Sequence, residues 1–524
     1  MPNPWRGVKQ RCKRLNIIKT MQFTEDSTRS LTGTSMKVLH VAAECFPLIK
    51  TGGLADVVGS LPLAQRRIGI DARVALPGYR GLNGRLEFAH TVAAFDLQGF
   101  GFNVTEAMLN SVDSAEERLP VYLFECPELY DRPGDPYRDA QGKEHPDNAL
   151  RFGLFAEAVS RFASHRSNGF SPALVHLHDW QAAPVAAWLS LESQRPSTLL
   201  TIHNLAYQGV FDRETFEHLG LPQQWWSPQA MEFWGKCSFL KAGIQFADAI
   251  TTVSPGYSRE IQTSEYGCGL DGDLRARSAD LSGILNGIDI GLWNPQTDPF
   301  IADHYTAGDV NIGKVANKSA LQRELGLAIS PRPLVAFVGR LADQKGADLI
   351  LAAREQLLRL DAQYVVLASG DHGLEQAFAG FASSLVADRV AVRMLHDETL
   401  AHKIFAAADL LLIPSRFEPC GLTQMYAQRY GTVPVVRRTG GLIDTVVDAD
   451  ADSLAAASAT GVQFRDADAG GLLYGVRRGL ELMADVVARD RLRQAAMACD
   501  FSWLQPAREY DKLYRRLLKS RSLA

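Results

Sequence analysis

Short apolar runs alternate with segments of helical periodicity along most of this chain. In the first half the runs are residues 38–43, 72–76, 174–177, 198–202 and 249–253, and the last four end in loops carrying Gly, Pro, Asp or His. Near-continuous apolar strands separated by helices predict a parallel sheet covered on both faces, here within residues 36–286. A connector, Gly291-Leu292-Trp293-Asn294-Pro295, follows, and the pattern restarts at residues 333–338, 364–367, 410–413 and 433–436. A second sheet of the same kind is predicted within residues 287–500. Beyond it, Pro506 can open a helix in which Tyr510, Leu513, Tyr514, Leu517 and Leu518 share one face. That face needs cover, so residues 501–524 are expected to fold back on the first domain. The predicted fold class is α/β, with two doubly wound parallel sheets facing across a cleft.

Ligands of open parallel sheets bind outside the carboxyl ends of the strands, and polar, glycine-rich loops collect at those ends here. The run Lys50-Thr51-Gly52-Gly53-Leu54-Ala55-Asp56 joins an apolar strand to a helix. It fits either an ordinary tight turn or an anion site in which glycine amides, a helix N-terminus and a lysine act together. Arg340-Leu341-Ala342-Asp343-Gln344-Lys345-Gly346 places two cations beyond a strand, as a diphosphate clamp would. Thr439-Gly440-Gly441-Leu442 is another glycine-rich helix entry, and three such loops in one chain favour anion binding over simple turns.

Ser415-Arg416-Phe417-Glu418-Pro419-Cys420-Gly421-Leu422-Thr423 holds a carboxylate between an aromatic ring and a proline, suited to sugar hydroxyls or a developing positive centre. Cys420 has no histidine neighbour to activate it and reads as a buried or ligand-shaping thiol. His178 and His203 stand at strand ends, where hydrogen bonding to a polar substrate is favoured over metal ligation, because no carboxylate or cysteine completes a ligand set. Asp448-Ala449-Asp450 and Asp466-Ala467-Asp468 match the D-x-D pattern of metal-dependent sugar transferases, but their Ala- and Ser-rich surroundings read as solvated surface. No metal is predicted.

At 524 residues the chain exceeds one compact core. A net charge of −4 gives no electrostatic reason to expect nucleic acid or an anionic membrane as partner. The seven cysteines form no C-x-x-C pair, which fits a reducing compartment and a cytoplasmic protein. Residues 1–35 are basic and poor in acid. They are read as a disordered extension or an upstream start before Met36, with a plastid transit peptide as the alternative.

Taken together these motifs resemble bacterial glycogen synthase and plant starch synthase. The resemblance is carried by Lys50-Thr51-Gly52-Gly53-Leu54, His178-Asp179-Trp180, His203-Asn204-Leu205-Ala206-Tyr207-Gln208-Gly209, Phe239-Leu240-Lys241-Ala242-Gly243 and Leu285-Asn286-Gly287-Ile288-Asp289. In the second half it is carried by Arg340 with Lys345-Gly346, by Arg416-Phe417-Glu418-Pro419-Cys420-Gly421-Leu422 and by Arg438-Thr439-Gly440-Gly441-Leu442.

The resemblance implies a GT-B glycosyltransferase of two Rossmann-like domains. It would use ADP-glucose to extend an α-1,4-glucan, glycogen or starch, at its non-reducing end with retention, and without a cofactor. By position, it implies that Lys50, Gly52 and Gly53 contact the donor, with Asp56 supporting the lysine loop. Arg340 and Lys345 would hold the diphosphate, and Glu418 would face the glucose. Asp179, His203 and Asn286 would line the glucose pocket. The loops of Cys420, Gly421 and Leu422 and of Thr439, Gly440 and Gly441 would complete the donor cradle with backbone amides. The chain departs from the family at His396, where a nucleobase-stacking tyrosine is common. It also departs at Ala368-Ser369-Gly370-Asp371-His372, where Gly-x-Gly-Asp-Pro is usual. Tyr426 stands where many retaining transferases outside the family carry a second glutamate.

Overall fold

The structure is a computed structural model and describes residues 35–110, 117–165, 169–381 and 388–522. The extension expected over residues 1–35, and Cys12 within it, lie outside the described residues, apart from Ser35 itself.

The first sheet is built from β1 (Lys37–Val41), β2 (Asp71–Pro77), β3 (Glu87–Leu97), β4 (Phe100–Asn110), β5 (Arg118–Glu125), β6 (Leu174–His178) and β7 (Ser197–Ile202). A small separate sheet follows, made of β8 (Val210–Phe211), β9 (Glu232–Phe233) and β10 (Lys236–Ser238). The chain then returns to the first sheet with β11 (Ala249–Thr252) and β12 (Leu281–Gly283). The first sheet's order is β12-β11-β7-β6-β1-β2-β5-β4-β3. It is mixed rather than wholly parallel, because β4 runs antiparallel to both β3 and β5. The physical reason is that β3 is an edge strand, mostly exposed, with Gly99 at positive φ turning the chain straight into β4.

The second sheet comprises β13 (Leu334–Leu341), β14 (Gln363–Gly370), β15 (Val390–Met394), β16 (Leu410–Ile413), β17 (Val433–Arg437) and β18 (Val462–Phe464). All its pairings are parallel, in the order β15-β14-β13-β16-β17-β18. This is the 3-2-1-4-5-6 order of a Rossmann sheet, with the direction of winding reversing between β13 and β16. In the first sheet the corresponding reversal lies between β1 and β6. Loops leaving these four strands are therefore where ligands are expected.

The chain crosses between the two sheets twice, and the crossings lie side by side: the Ile288 amide donates to the Phe501 carbonyl at 2.8 Å. Gly287 is needed there, since a Cβ would fall 2.9 Å from the Ser502 and Trp503 backbone. After the second crossing the helix Leu504–Ser522 packs on the first sheet. Trp503, Ala507, Tyr510, Leu513 and Tyr514 are buried with Val38, Val57, Leu61 and Leu199. Full burial of each large side chain contributes about 1.5–3 kcal/mol, so this last helix is an integral wall of the first domain. No described helix is long and apolar enough to cross a membrane.

Candidate active site

The loop after β1 and the helix Gly53–Arg67 form one wall of the site. Lys50 Nζ lies 2.7 Å from Asp56 Oδ1 and 5.3 Å from the centre of the Phe46 ring. The amides of Thr51 and Gly52 do not point into open space. Both donate to the buried Glu44 carboxylate, at 2.5 and 3.1 Å, and its other oxygen accepts the Tyr137 hydroxyl at 2.6 Å. Glu44 is thus the internal anion around which the Gly-Gly turn folds, a role that no local pattern announced. Its one sequence signal is a lone acid directly after a buried strand.

From the loop after β6, Asp179 sits at φ 58, a left-handed conformation rare for a residue with a side chain. Its Oδ1 accepts the His203 amide at 2.7 Å and the Asn204 amide at 3.4 Å, so it clamps the loop after β7. Burial pushes its carboxyl up to about 7, against the pull of those two amides. Between roughly pH 4 and 7 the folded protein therefore binds a proton here that the unfolded chain does not. Stability carried by this group rises as pH falls through that window.

Asparagine tolerates the same conformation, keeps the accepting oxygen and cannot ionise. Asp179→Asn is therefore expected to be more stable than the parent at pH 8. That advantage should shrink by about 1.4 kcal/mol for each pH unit as the pH drops from 7 to 5. Urea unfolding midpoints at the two pH values check this, and a pH-independent difference would contradict it.

The opposite wall comes from β13 and β16. Lys345 Nζ lies 2.6 Å from Glu418 Oε2, which also accepts the Ser415 hydroxyl at 2.8 Å. Glu418 is buried. Arg416 makes a two-pronged pair with Asp348, at 2.8 and 2.7 Å, and its amide donates to the Gln344 carbonyl, so the two loops are strapped together. The exposed side chain of Arg340, at the end of β13, makes no hydrogen bond or ion pair among the described residues. The amides of Gly421, Leu422 and Thr423, at the start of the helix Thr423–Arg429, have no protein acceptor among the described residues. A Cβ on Gly53 would lie 3.7 Å from Leu422 Cδ1, so the two glycine-containing loops face each other.

The loop at Thr439, Gly440 and Gly441 differs from the open cradle expected of it. The Gly440 amide and Thr439 hydroxyl donate to Glu260, at 2.7 and 3.0 Å, and the Gly441 amide donates to the Glu418 carbonyl at 3.0 Å. A Cβ on either glycine would collide with the backbone of residues 418–420. Glu260 ends the helix Pro255–Glu260, and Ser254 and Gly256 at the start of that segment bond the Pro419 carbonyl and Asp444 at 2.6 Å each. This loop supports Glu418 and joins the two domains, and its amides are not available to a ligand.

Asn286, just beyond β12, brings its amide to the Cys420 thiol, while its buried Oδ1 has no partner among the described residues. A buried acceptor of that kind awaits a ligand hydroxyl. Burial pushes the Cys420 thiol up to about 12, which removes it as a thiolate nucleophile. Tyr426 stacks on the connector residue Trp293 at 3.9 Å, and His402 stacks on the other face at 3.8 Å. An aromatic clamp on the connector thus occupies the second-glutamate position. His396 is exposed beyond β15. Of the two D-x-D motifs, Asp448 corrects the reading as solvated surface: it is half-buried, paired with Arg478 at 2.9 Å, and accepts the Gln463 amide. Asp450 and Asp468 cap helices.

Two family models match this chain. Residues 37–276 match the starch synthase catalytic domain family, and residues 322–469 match the glycosyl transferases group 1 family. A glycogen synthase of Thioalkalivibrio sulfidiphilus is 46% identical over 486 residues, covering 92% of this chain and 100% of that protein. Glycogen synthase 2 of Nitrosococcus oceani is 45% identical over 488 residues, covering 92% of this chain and 97% of that protein. Among solved structures, the catalytic domain of starch synthase IV from Arabidopsis thaliana, bound to ADP and acarbose, superposes with a TM-score of 0.82. It is 35% identical and covers 93% of this chain and 100% of its own. A sucrose-phosphate synthase from Thermosynechococcus elongatus shares the fold at 18% identity and a TM-score of 0.58. With two Rossmann-like sheets, a shared cleft and relatives of this similarity along nearly their whole length, the chain belongs to the glycogen and starch synthase family of GT-B glucosyltransferases.

Proposed function

We propose that the protein transfers glucose from ADP-glucose to the non-reducing end of an α-1,4-glucan, glycogen or starch, with retention at the anomeric carbon. The carrying observation is the Lys345–Glu418 pair between an unpaired Arg340 and the open amides of residues 421–423, opposite Lys50 on the other domain. Two charges develop in such a transfer. The departing diphosphate gains negative charge, met by Arg340, Lys345, Lys50 and the amides of Gly421, Leu422 and Thr423. Preorganised donors of this kind act without reorganisation at the moment of reaction. No metal or cofactor is part of the proposal, because the side chains and amides already supply the countercharge.

The anomeric carbon gains positive charge, which Glu418 faces from its buried position. Asp179, His203 and the orphaned Asn286 Oδ1 supply contacts for glucose hydroxyls. Glu418 is held by Lys345 and Ser415, Asp179 is held by two amides, and Tyr426 removes the other carboxylate position. Retention is therefore assigned to front-face attack, with the acceptor hydroxyl passing its proton to an oxygen of the leaving phosphate as the new glycosidic bond forms. Six described cysteines are free, in keeping with a reducing, cytoplasmic site of action.

The test is incubation with glycogen and labelled ADP-glucose or UDP-glucose, followed by amylase digestion of the product. Incorporation from ADP-glucose into amylase-sensitive polymer is expected. Preference for UDP-glucose, or an amylase-resistant product, would overturn the assignment, and binding of glycogen without incorporation would reduce the protein to a glucan-binding module.

A further inference from the structure

Behind the cleft, the first domain contains an unbroken row of buried polar side chains. His203 Nε2 lies 2.9 Å from His178 Nδ1, His178 Nε2 lies 3.0 Å from His40 Nδ1, and His40 Nε2 lies 2.8 Å from Gln65 Oε1. Gln65 Nε2 continues to the Tyr514 hydroxyl at 2.9 Å. That hydroxyl reaches His176 Nδ1 at 2.7 Å, and His176 Nε2 reaches Thr201 Oγ1 at 2.6 Å. Apart from the half-buried His203, every member is fully enclosed. The row crosses β1 and β6 and ends at one side in the loop after β7. Through Gln65 and Tyr514 it is anchored in the helices Gly53–Arg67 and Leu504–Ser522.

Burial keeps these imidazoles neutral. It lowers His40 to about 4 and His203 to about 3, and it holds His176 and His178 well below their ordinary value. A neutral imidazole has one donor nitrogen and one acceptor nitrogen, so a row of them must run in a single sense. Gln65 is the member whose two ends differ chemically, with its carbonyl towards His40 and its amide towards Tyr514. His40 must then donate from Nε2, which leaves Nδ1 to accept from His178 Nε2. His178 Nδ1 in turn accepts from His203 Nε2. On the other side, Gln65 donates to Tyr514, Tyr514 to His176 and His176 to Thr201. Every link has one donor and one acceptor.

His40, His176 and His178 present ring nitrogens within 4.8 Å of one another, the spacing of a metal site. However, both nitrogens of each ring already have partners in the row, so the cluster is a complete hydrogen-bond chain.

We propose that Gln65, hydrogen-bonded to Tyr514 of the C-terminal helix, is a positioning residue that fixes His203 as its Nε2–H tautomer and presents the Nδ1 lone pair to the cleft as acceptor for a substrate hydroxyl. Among the described residues no hydrogen bond is made to Nδ1 of the half-buried His203, while Asp179 fixes the His203 backbone. The substrate half of this proposal rests on the reading of the cleft as a glucose pocket. The tautomer half does not.

The experiment is nitrogen NMR of the full chain labelled with 15N-histidine, without substrate, separating protonated from lone-pair ring nitrogens. The His203 signals are assigned by their loss in His203→Asn. The expected parent spectrum has the His203 proton on Nε2. In Gln65→Met, which keeps the length but removes the acceptor, the His203 signals should shift towards a mixture of tautomers. The same shift is expected in Tyr514→Phe, which removes the acceptor of the Gln65 amide. In both variants kcat/KM for ADP-glucose should fall about ten-fold, the worth of one hydrogen bond. A proton on His203 Nδ1 in the parent overturns the proposal, and this arm needs no variant to fold. An unchanged tautomer in both variants also overturns it. Tautomer mixing without any change in kcat/KM would uphold the relay and remove His203 from substrate binding, which separates failure of the relay from failure of the pocket reading.

Discussion

Replacing Lys345 by alanine is expected to lower kcat/KM for ADP-glucose by roughly 10²–10³-fold, the usual scale for losing one preorganised donor to a developing negative charge, while the protein stays folded. Lys345 sits in a short turn whose backbone bonds do not involve its side chain: its amide donates to the Ala342 carbonyl at 2.9 Å and survives the substitution. Glu418 keeps the Ser415 hydroxyl, so its carboxylate is not left without a partner. The ammonium is 22% exposed but its partner carboxylate is buried, so losing the pair costs more than the roughly 0–1 kcal/mol of a surface pair, moderated by the Ser415 hydroxyl that stays with Glu418. Activity should therefore fall far beyond what any lowering of the unfolding midpoint explains. Initial rates over a range of ADP-glucose concentrations, with unfolding midpoints measured on the same samples, check both halves. Near-parental turnover would remove Lys345 from the diphosphate clamp.

The neighbouring Gly346→Ala should do the reverse and damage the fold first. Gly346 lies at φ 64, and a Cβ there would overlap the Pro414 carbonyl oxygen and stand 3.0 Å from the Pro414 carbonyl carbon. Backbone cannot step aside as a flexible side chain can, so either Gly346 leaves the left-handed region or the strand end at Pro414 retreats. Strain of this kind costs about 1–3 kcal/mol. Retreat of Pro414 would carry Ser415 and Glu418 with it, so kcat/KM falls as a consequence of the displacement. Denaturant unfolding of the variant should show a lowered midpoint together with lost activity. A parental midpoint would mean that the close approach of these loops is not what the structure shows.

What the sequence disclosed and what it hid divide along a physical line. Strands buried on both faces write themselves as continuous apolar runs, so β2, β6, β7, β13, β14, β16 and β17 were legible, and so was the polar loop at the end of each. The β3–β4 hairpin was not, because an exposed edge strand such as β3 carries few apolar positions to count. The glycine-rich loops were legible as loops, but the carboxylates that consume their amides were not. Glu44 lies several residues before its turn, and Glu260 is on the other domain from Gly440, so only the folded chain brings them together. The same holds for His40, Gln65 and Tyr514, each unremarkable in its own stretch of sequence. Trp293 and Tyr426 likewise gave no local hint of stacking across the connector.

Glu260 also ties the two domains together. The Gly440 loop, Pro419 and Asp444 are tied to the helix Pro255–Glu260 by four hydrogen bonds, so the two domains are already joined behind the cleft.

The central claim is transfer of glucose from ADP-glucose to a glucan end with retention. The most direct measurement is NMR of a maltooligosaccharide incubated with the protein and ADP-glucose labelled with 13C at the anomeric carbon. The label is expected in a new α-configured linkage to the 4-position of the former non-reducing end, in step with ADP release. Label appearing as a β-linkage or only as free glucose, or no transfer at all, would contradict it.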